Sequence, residues 1–355
     1  MTALGPHYSN RFSKEAFRFM LKQTMKLGAM LAMAIGAVAP TAATTLNGAG
    51  STFVFPMMTK WSSVYHNAHP DVDFNYQPVG SGAGIAQYKA GTVDFGATDA
   101  PLSDDDLKSM PHPTFCLPVV SGAEVLSYHL AGVGPGLRLS GPVIADIYLG
   151  NIKTWNDPRI QKLNPFIKLP GDAITVVHRS DGSGTTYIFT NYLASVSEEW
   201  RTKVGAGKAV NWPVGLGGQG NAGVAGMVQQ SPGAIGYVEL AYAVDNHLPY
   251  GPVRNSAGNY VLASVTSAVA AATACSKVLA HDARAQIVNA PGVNSYPIVG
   301  FTYILVPRNM DSEKGTALKG FLRWALGESG QNMAETLYYA PLPGSLQSYA
   351  KKLLK

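Results

Sequence analysis

A chain of 355 residues, 46% hydrophobic and 14% charged, is too apolar for a disordered segment, and its length favours two lobes over a single core. Its net charge of +5 is concentrated at the start: five basic residues and one acidic residue fall in residues 1–43, which leaves about +1 for the remainder. No basic surface is left to hold a polyphosphate backbone, so nucleic acid is not an expected partner.

Residues 1–43 read as a secretory signal peptide. Arg11, Lys14, Arg18, Lys22 and Lys26 precede the apolar run "LGAMLAMAIGAVA" over residues 27–39, and small residues follow in "PTAA". Thirteen apolar residues are too few to span a bilayer. The competing reading is a buried N-terminal helix, which the basic flank disfavours. Met25 opens a more compact leader, so residues 1–23 are a candidate over-long start, and cleavage is expected near Ala43. No cysteine adjoins that point, and no lipid anchor is expected. Export would permit a disulfide between Cys116 and Cys275, but nothing in the sequence brings them together.

From residue 44 onward one arrangement recurs: a strand, a turn of small polar residues, then a helix. A short apolar approach leads into "GAGSTF". After it Val54, Met58, Trp61, Tyr65 and Ala68 recur at spacings of four and three, one face of an amphipathic helix, with Ser51 and Thr52 where caps belong and Pro56 in the first turn. "DVDFNYQ" alternates Val72, Phe74 and Tyr76 with polar residues and predicts a strand with one buried face, running into "PVGSGAG" and a short helix over residues 83–89. "TVDFGATD" alternates Val93, Phe95 and Ala97, ends at Asp99 and meets the capped start "SDDDLKSM". "AITVVH" predicts a strand, "RSDGSG" a turn, and Ile188, Phe189, Tyr192, Leu193 and Val196 a helical stripe. "GLGGQGNAGVAG", residues 215–226, lacks the Lys-Ser/Thr pair of a P-loop and reads as a loop entering a helix near Asn221. Strands alternating with helices imply α/β architecture with parallel pairing, and ligands of such sheets lie at the carboxyl ends of strands, where these turns gather.

Each turn alone could be a plain cap; four in one chain favour an anion site on helix N-termini. Arg179 offers a planar, permanently charged fork suited to a tetrahedral oxyanion. Ser183, Gly184 and Thr185 offer hydroxyls and amides, and Thr52, Ser81 and the Phe53 amide do the same from other turns. Asp99 is the odd member, because a carboxylate among donors repels an anion. It caps a helix, pairs with Arg179, or accepts a hydrogen bond from a proton on the ligand. The third reading separates phosphate, which carries a proton near neutral pH, from sulfate, which carries none; such a buried mismatch discriminates by roughly 10⁴–10⁵-fold. Enzyme readings are weaker. His178 is the histidine nearest in sequence to Ser183, but its side chain leaves the strand opposite to that of Arg179, and the pair His66 and His69 has no companion carboxylate for a metal. No metal, cofactor or catalytic residue is expected.

"LNGAGSTFVFP", "YQPVGSGAGIAQ", "TVDFGATDAPLSD", "IADIYLGNIKTWNDPRIQKLNP", "RSDGSGTTYIFTNYL", "VNWPVGLGGQGNAGVAG" and "PGAIGYVELAY", in that order along nearly the whole chain after the leader, resemble the periplasmic phosphate-binding proteins of high-affinity bacterial phosphate ABC transporters. The resemblance implies a two-lobed periplasmic binding protein of type II, each lobe a mixed, mostly parallel sheet flanked by helices, with the ligand in the interlobe cleft. It implies crossings near residues 122–126 and 294–299, so that lobe one comprises residues 44–123 and 297–355 and lobe two residues 124–296. It implies a phosphate site at Thr52, Phe53, Ser81, Asp99, Arg179, Ser183, Gly184 and Thr185, a periplasmic monomer, and membrane permease subunits with a cytoplasmic ATPase as partners. The alternatives are a phosphoryl-transfer enzyme or a binder of another tetrahedral oxyanion. The stretches "SGAEVLSYH" and residues 255–290 do not align with the family pattern.

Overall fold

The structure is a computed structural model that describes residues 43–355, so the expected leader lies outside the described residues apart from Ala43. The alternating and β-branched runs become strands: β1 (Thr44–Gly50), β2 (Val72–Gln77), β3 (Phe95–Thr98), β4 (Thr114–Tyr128), β5 (Leu139–Ser140), β6 (Thr175–Arg179), β7 (Leu216–Gly218), β8 (Ala234–Glu239), β9 (Val253–Arg254), β10 (Tyr260–Val261) and β11 (Val299–Pro307). Eight of them form one sheet in the order β2-β1-β3-β11-β4-β8-β6-β7, and β10, β9 and β5 form a small second sheet.

β1 is parallel to β2 and β3, and β6 is parallel to β7 and β8. Parallel neighbours need long crossovers. The helices Phe55–Ala68 and Ser81–Lys89 supply them on one side, and Gly184–Val196, Glu198–Lys203 and Gly220–Gln230 on the other. Each half therefore has three parallel strands, and the antiparallel pair β11 and β4 joins the halves. β4 belongs to both. It pairs with β11 as far as Ala123↔Val299 and with β8 from Glu124↔Glu239 onward. Pro118, which has no N–H to give the ladder, sits where the β4–β11 register slips between Thr302 and Tyr303.

Three local expectations are corrected. The helix after Ser51 and Thr52 takes Val54, which has no capping side chain, as its N-cap; the Ser51 hydroxyl accepts from the Phe53 amide just ahead of the helix and donates to Asp99, and Thr52 accepts from Asn221. The second helix begins at Ser81, two residues earlier than its apolar pattern suggests. β3 does not expose alternate residues: all four are buried, since it lies between β1 and β11 inside the sheet. Ser103 does cap the helix Asp104–Lys108, in a reciprocal box with Asp106. Cys116 is buried, Cys275 half-buried, and both are free.

Candidate functional site

The carboxyl ends of β1, β2, β3, β6, β7 and β8 lead into turns and helix starts that meet, as open parallel sheets require of a ligand site. The turns that leave them touch. The Gly82 amide donates to the Gly182 carbonyl at 2.7 Å, the Gly184 amide to Ser81 Oγ at 3.0 Å, and the Tyr242 hydroxyl to the Thr52 carbonyl at 2.6 Å. The approach is close enough that a Cβ on Gly184 would overlap Asp99, which accounts for glycine there. Thr52, Ser81, Asp99, Arg179, Ser183 and Thr185 are all buried. The eight residues expected from the sequence come together in one buried cluster.

Hydrogen-bond accounting gives the cluster its polarity. A hydroxyl has one hydrogen and two lone pairs. Thr52 Oγ1 accepts from the Asn221 amide at 3.1 Å and from Asn221 Nδ2 at 2.9 Å. Thr185 Oγ1 accepts from Arg179 Nη1 at 3.1 Å and Asn221 Nδ2 at 3.0 Å. Ser81 Oγ accepts from the Gly184 amide at 3.0 Å and the Asp99 amide at 3.3 Å. All three are filled as acceptors; among the described residues the Thr52 and Thr185 hydroxyls donate to no protein acceptor, while the Ser81 hydroxyl also lies against the Asp99 carboxylate and favours its ionised form. The Thr52 and Thr185 hydrogens are left for a ligand rich in lone pairs. Ser183 caps its helix by accepting from the Thr186 amide at 3.0 Å. The Phe53 and Gly184 amides are turned inward, onto Ser51 and Ser81.

Arg179 does not pair with Asp99. Its Nε and Nη2 grip the Asp181 carboxylate at 2.8 and 2.5 Å, leaving Nη1 toward Thr185. Burial works against the charge on Asp181, yet the hydrogen bonds and charge of Arg179 hold its carboxyl below the usual range. Asp99 is the reverse case: burial pushes it up to about 6, against hydrogen bonds from Ser51 and Thr302. Thr302 Oγ1 lies 2.6 Å from Oδ1, and Ser51 Oγ lies 2.8 and 2.6 Å from the two oxygens. Two hydroxyl donors favour the ionised form, so Asp99 is chiefly an acceptor at neutral pH.

Ser51 and Asn221 stood in the sequence as a cap and a helix entrance, and Asp181 only as part of a turn. Thr302 and Tyr242 carried no local signal, because their contacts reach across 203 and 190 positions. His178 stacks on Trp212 with centroids 4.7 Å apart and turns Nδ1 to the Arg179 carbonyl. Among the described residues no group of His, Cys, Asp and Glu is arranged to hold a metal. A cleft of about 600 Å³ lined by Cys116, Arg284 and Arg308 lies apart from the converging turns.

The profile described as the PBP superfamily domain matches residues 36–329. The Phosphate-binding protein PstS of Xylella fastidiosa is 46% identical over 308 residues, 86% of this chain and 84% of its own. That of Haemophilus influenzae is 40% identical over 333 residues, 93% of this chain and 98% of its own. Among solved structures, a phosphate-binding protein from Stenotrophomonas maltophilia shares 18% identity at a TM-score of 0.61, covering 87% of this chain and 94% of its own. An ABC-type phosphate transport receptor from Vibrio cholerae shares 18% at 0.53, covering 84% and 100%. At such identity these two show the fold, a two-lobed α/β architecture.

Proposed function

The chain belongs to the PBP superfamily, alongside the PstS phosphate-binding proteins, and from that premise we propose that it captures inorganic phosphate and delivers it to a phosphate ABC importer. The observation that carries the reading is the polarity of the cluster: two hydroxyls, of Thr52 and Thr185, and one guanidinium arm committed as donors, faced by the buried carboxylate of Asp99, which no cation pairs. A protonated phosphate suits that pattern, with bare oxygens for the donors and its hydroxyl for Asp99. A fully deprotonated tetrahedral anion leaves two acceptors in contact at Asp99, an uncompensated desolvation.

In this reading residues 44–123 and 297–355 form one lobe and residues 124–296 the other, hinged where β4 changes partner. Phosphate is held by Thr52, Phe53, Ser81 and Asp99 from the first lobe and by Arg179, Ser183, Gly184 and Thr185 from the second. For the Phe53 and Gly184 amides to serve, they exchange their present bonds to Ser51 and Ser81 for bonds to the ligand. Closure removes water, which strengthens every interaction in the cleft. The closed monomer, working in the periplasm, then docks on membrane permease subunits driven by a cytoplasmic ATPase. It is a receptor and no enzyme: Ser183 accepts from its own helix, and the ring of His178 is stacked on Trp212 away from it.

Titration with inorganic phosphate beside an assay for release from a phosphomonoester tests this. Saturable phosphate binding with no turnover supports it; metal-dependent turnover well above background, or no phosphate binding, contradicts it.

A further inference from the structure

Asn221 is fully buried at the start of the helix Gly220–Gln230. Its Oδ1 accepts from the Glu239 amide at 3.0 Å, which fixes the carboxamide so that Nδ2 faces the converging turns. The two Nδ2 hydrogens reach Thr52 Oγ1 at 2.9 Å and Thr185 Oγ1 at 3.0 Å, and the Asn221 main-chain amide adds a second bond to Thr52 Oγ1. Thr52 follows β1 and Thr185 lies just beyond β6, so one carboxamide bridges the two halves of the sheet.

Asn221 alone fills both lone pairs of Thr52, and with Arg179 it fills both of Thr185. We propose that Asn221 is a positioning residue that sets the polarity of the phosphate site, turning the Thr52 and Thr185 hydroxyls into obligatory donors, and that for Thr52 it does so only when the two halves are together. The inference rests on the reading of this chain as a phosphate receptor and adds to it the group that ties closure to anion affinity. Before Asn221 reaches it, the Thr52 hydroxyl is free to accept from water as well as to donate. Afterwards its hydrogen is committed before the ligand is bound, which removes an ordering cost from binding.

The choice of side chain follows. An aspartate here has the same shape and still accepts from the Glu239 amide. It would, however, present an oxygen to Thr52 and Thr185; both would donate to it and turn lone pairs toward the anion, acceptor against acceptor.

Calorimetric titration with inorganic phosphate of the wild type, Asn221→Asp, Asn221→Ala, Thr52→Val and the Asn221→Ala/Thr52→Val double variant tests this, with circular dichroism as the check on folding. Asn221→Asp is expected to weaken binding by about a hundredfold or more. In the cycle, Thr52→Val is expected to cost about tenfold in the wild type and clearly less once Asn221 is alanine, because the hydroxyl can still donate but is no longer committed to it. Wild-type affinity in Asn221→Asp, or independent and additive losses in the cycle, would overturn the proposal by reducing Asn221 to a packing role. If Asn221→Asp does not fold, the alanine cycle decides alone. A wild type that fails to bind phosphate would instead remove the receptor reading, so the two failures are told apart.

Discussion

Asp99 carries two opposed demands: it is buried, which favours the neutral acid, yet its work as an acceptor needs the ionised form. The hydroxyls of Ser51 and Thr302 narrow the conflict without removing it, and the group titrates at about 6. Asp99→Asn is expected to keep phosphate binding, because the amide oxygen still accepts, and to weaken the rejection of sulfate, because the amide nitrogen donates; paired titrations with the two anions check it. In the wild type, sulfate rejection is expected to fade as pH falls through about 6, where the Asp99 carboxyl takes up a proton. Stability has the matching sign. A carboxyl raised from 3.8 contributes stability that is complete below that value and is lost as pH rises through about 6. Asp99→Asn should therefore unfold at higher denaturant than the wild type at pH 8, by about 2–3 kcal/mol. Arg179→Ala should cost about 2–5 kcal/mol of phosphate affinity, since it strips a donor from the site and leaves Asp181 buried without its cation. The candidate ligands were legible in the sequence because small polar residues cluster after strands. Their partners were not: the contacts of Thr302 with Asp99, or of Asn221 with Thr52, exist only after folding, and no local spacing encodes them.

At the scale of elements, β4 is the unusual one. It is long, buried nearly throughout and shared by both halves of the sheet. At the residue where it changes partner, Glu124 lies directly opposite Glu239, both fully buried, and among the described residues neither Glu124 oxygen has a hydrogen-bond partner. Burial pushes both carboxyls well above their ordinary value, and the charge of Asp99 adds to the shift at Glu124. Stability from this pair is full below the ordinary carboxyl range and falls as pH rises beyond it. Glu124→Val, a residue suited to a buried strand, should raise stability by about 1–3 kcal/mol at pH 8 and by less at pH 4, measured by urea unfolding. The strands and helices of the β1–β3 and β6–β8 halves follow patterns of period two and 3.6 that sequence displays openly. β3 defied its pattern because an interior strand is covered on both faces, and the short β7 and the sheet of β5, β9 and β10 left no period to read.

For the whole molecule, two halves joined by β4 and β11 place their turns against each other. A ligand that bridges such turns stabilises the closed form. Phosphate at a hundred times its dissociation constant should add about 2.7 kcal/mol of stability, seen as a rise in thermal midpoint that an equal concentration of sulfate does not produce. The pairing of donors with one acidic acceptor is the claim on which the rest depends. Calorimetric titration of the wild type with phosphate and with sulfate at pH 8 tests it most directly. The account predicts that phosphate binds tighter by about 10⁴-fold or more; comparable affinities for the two anions would contradict it.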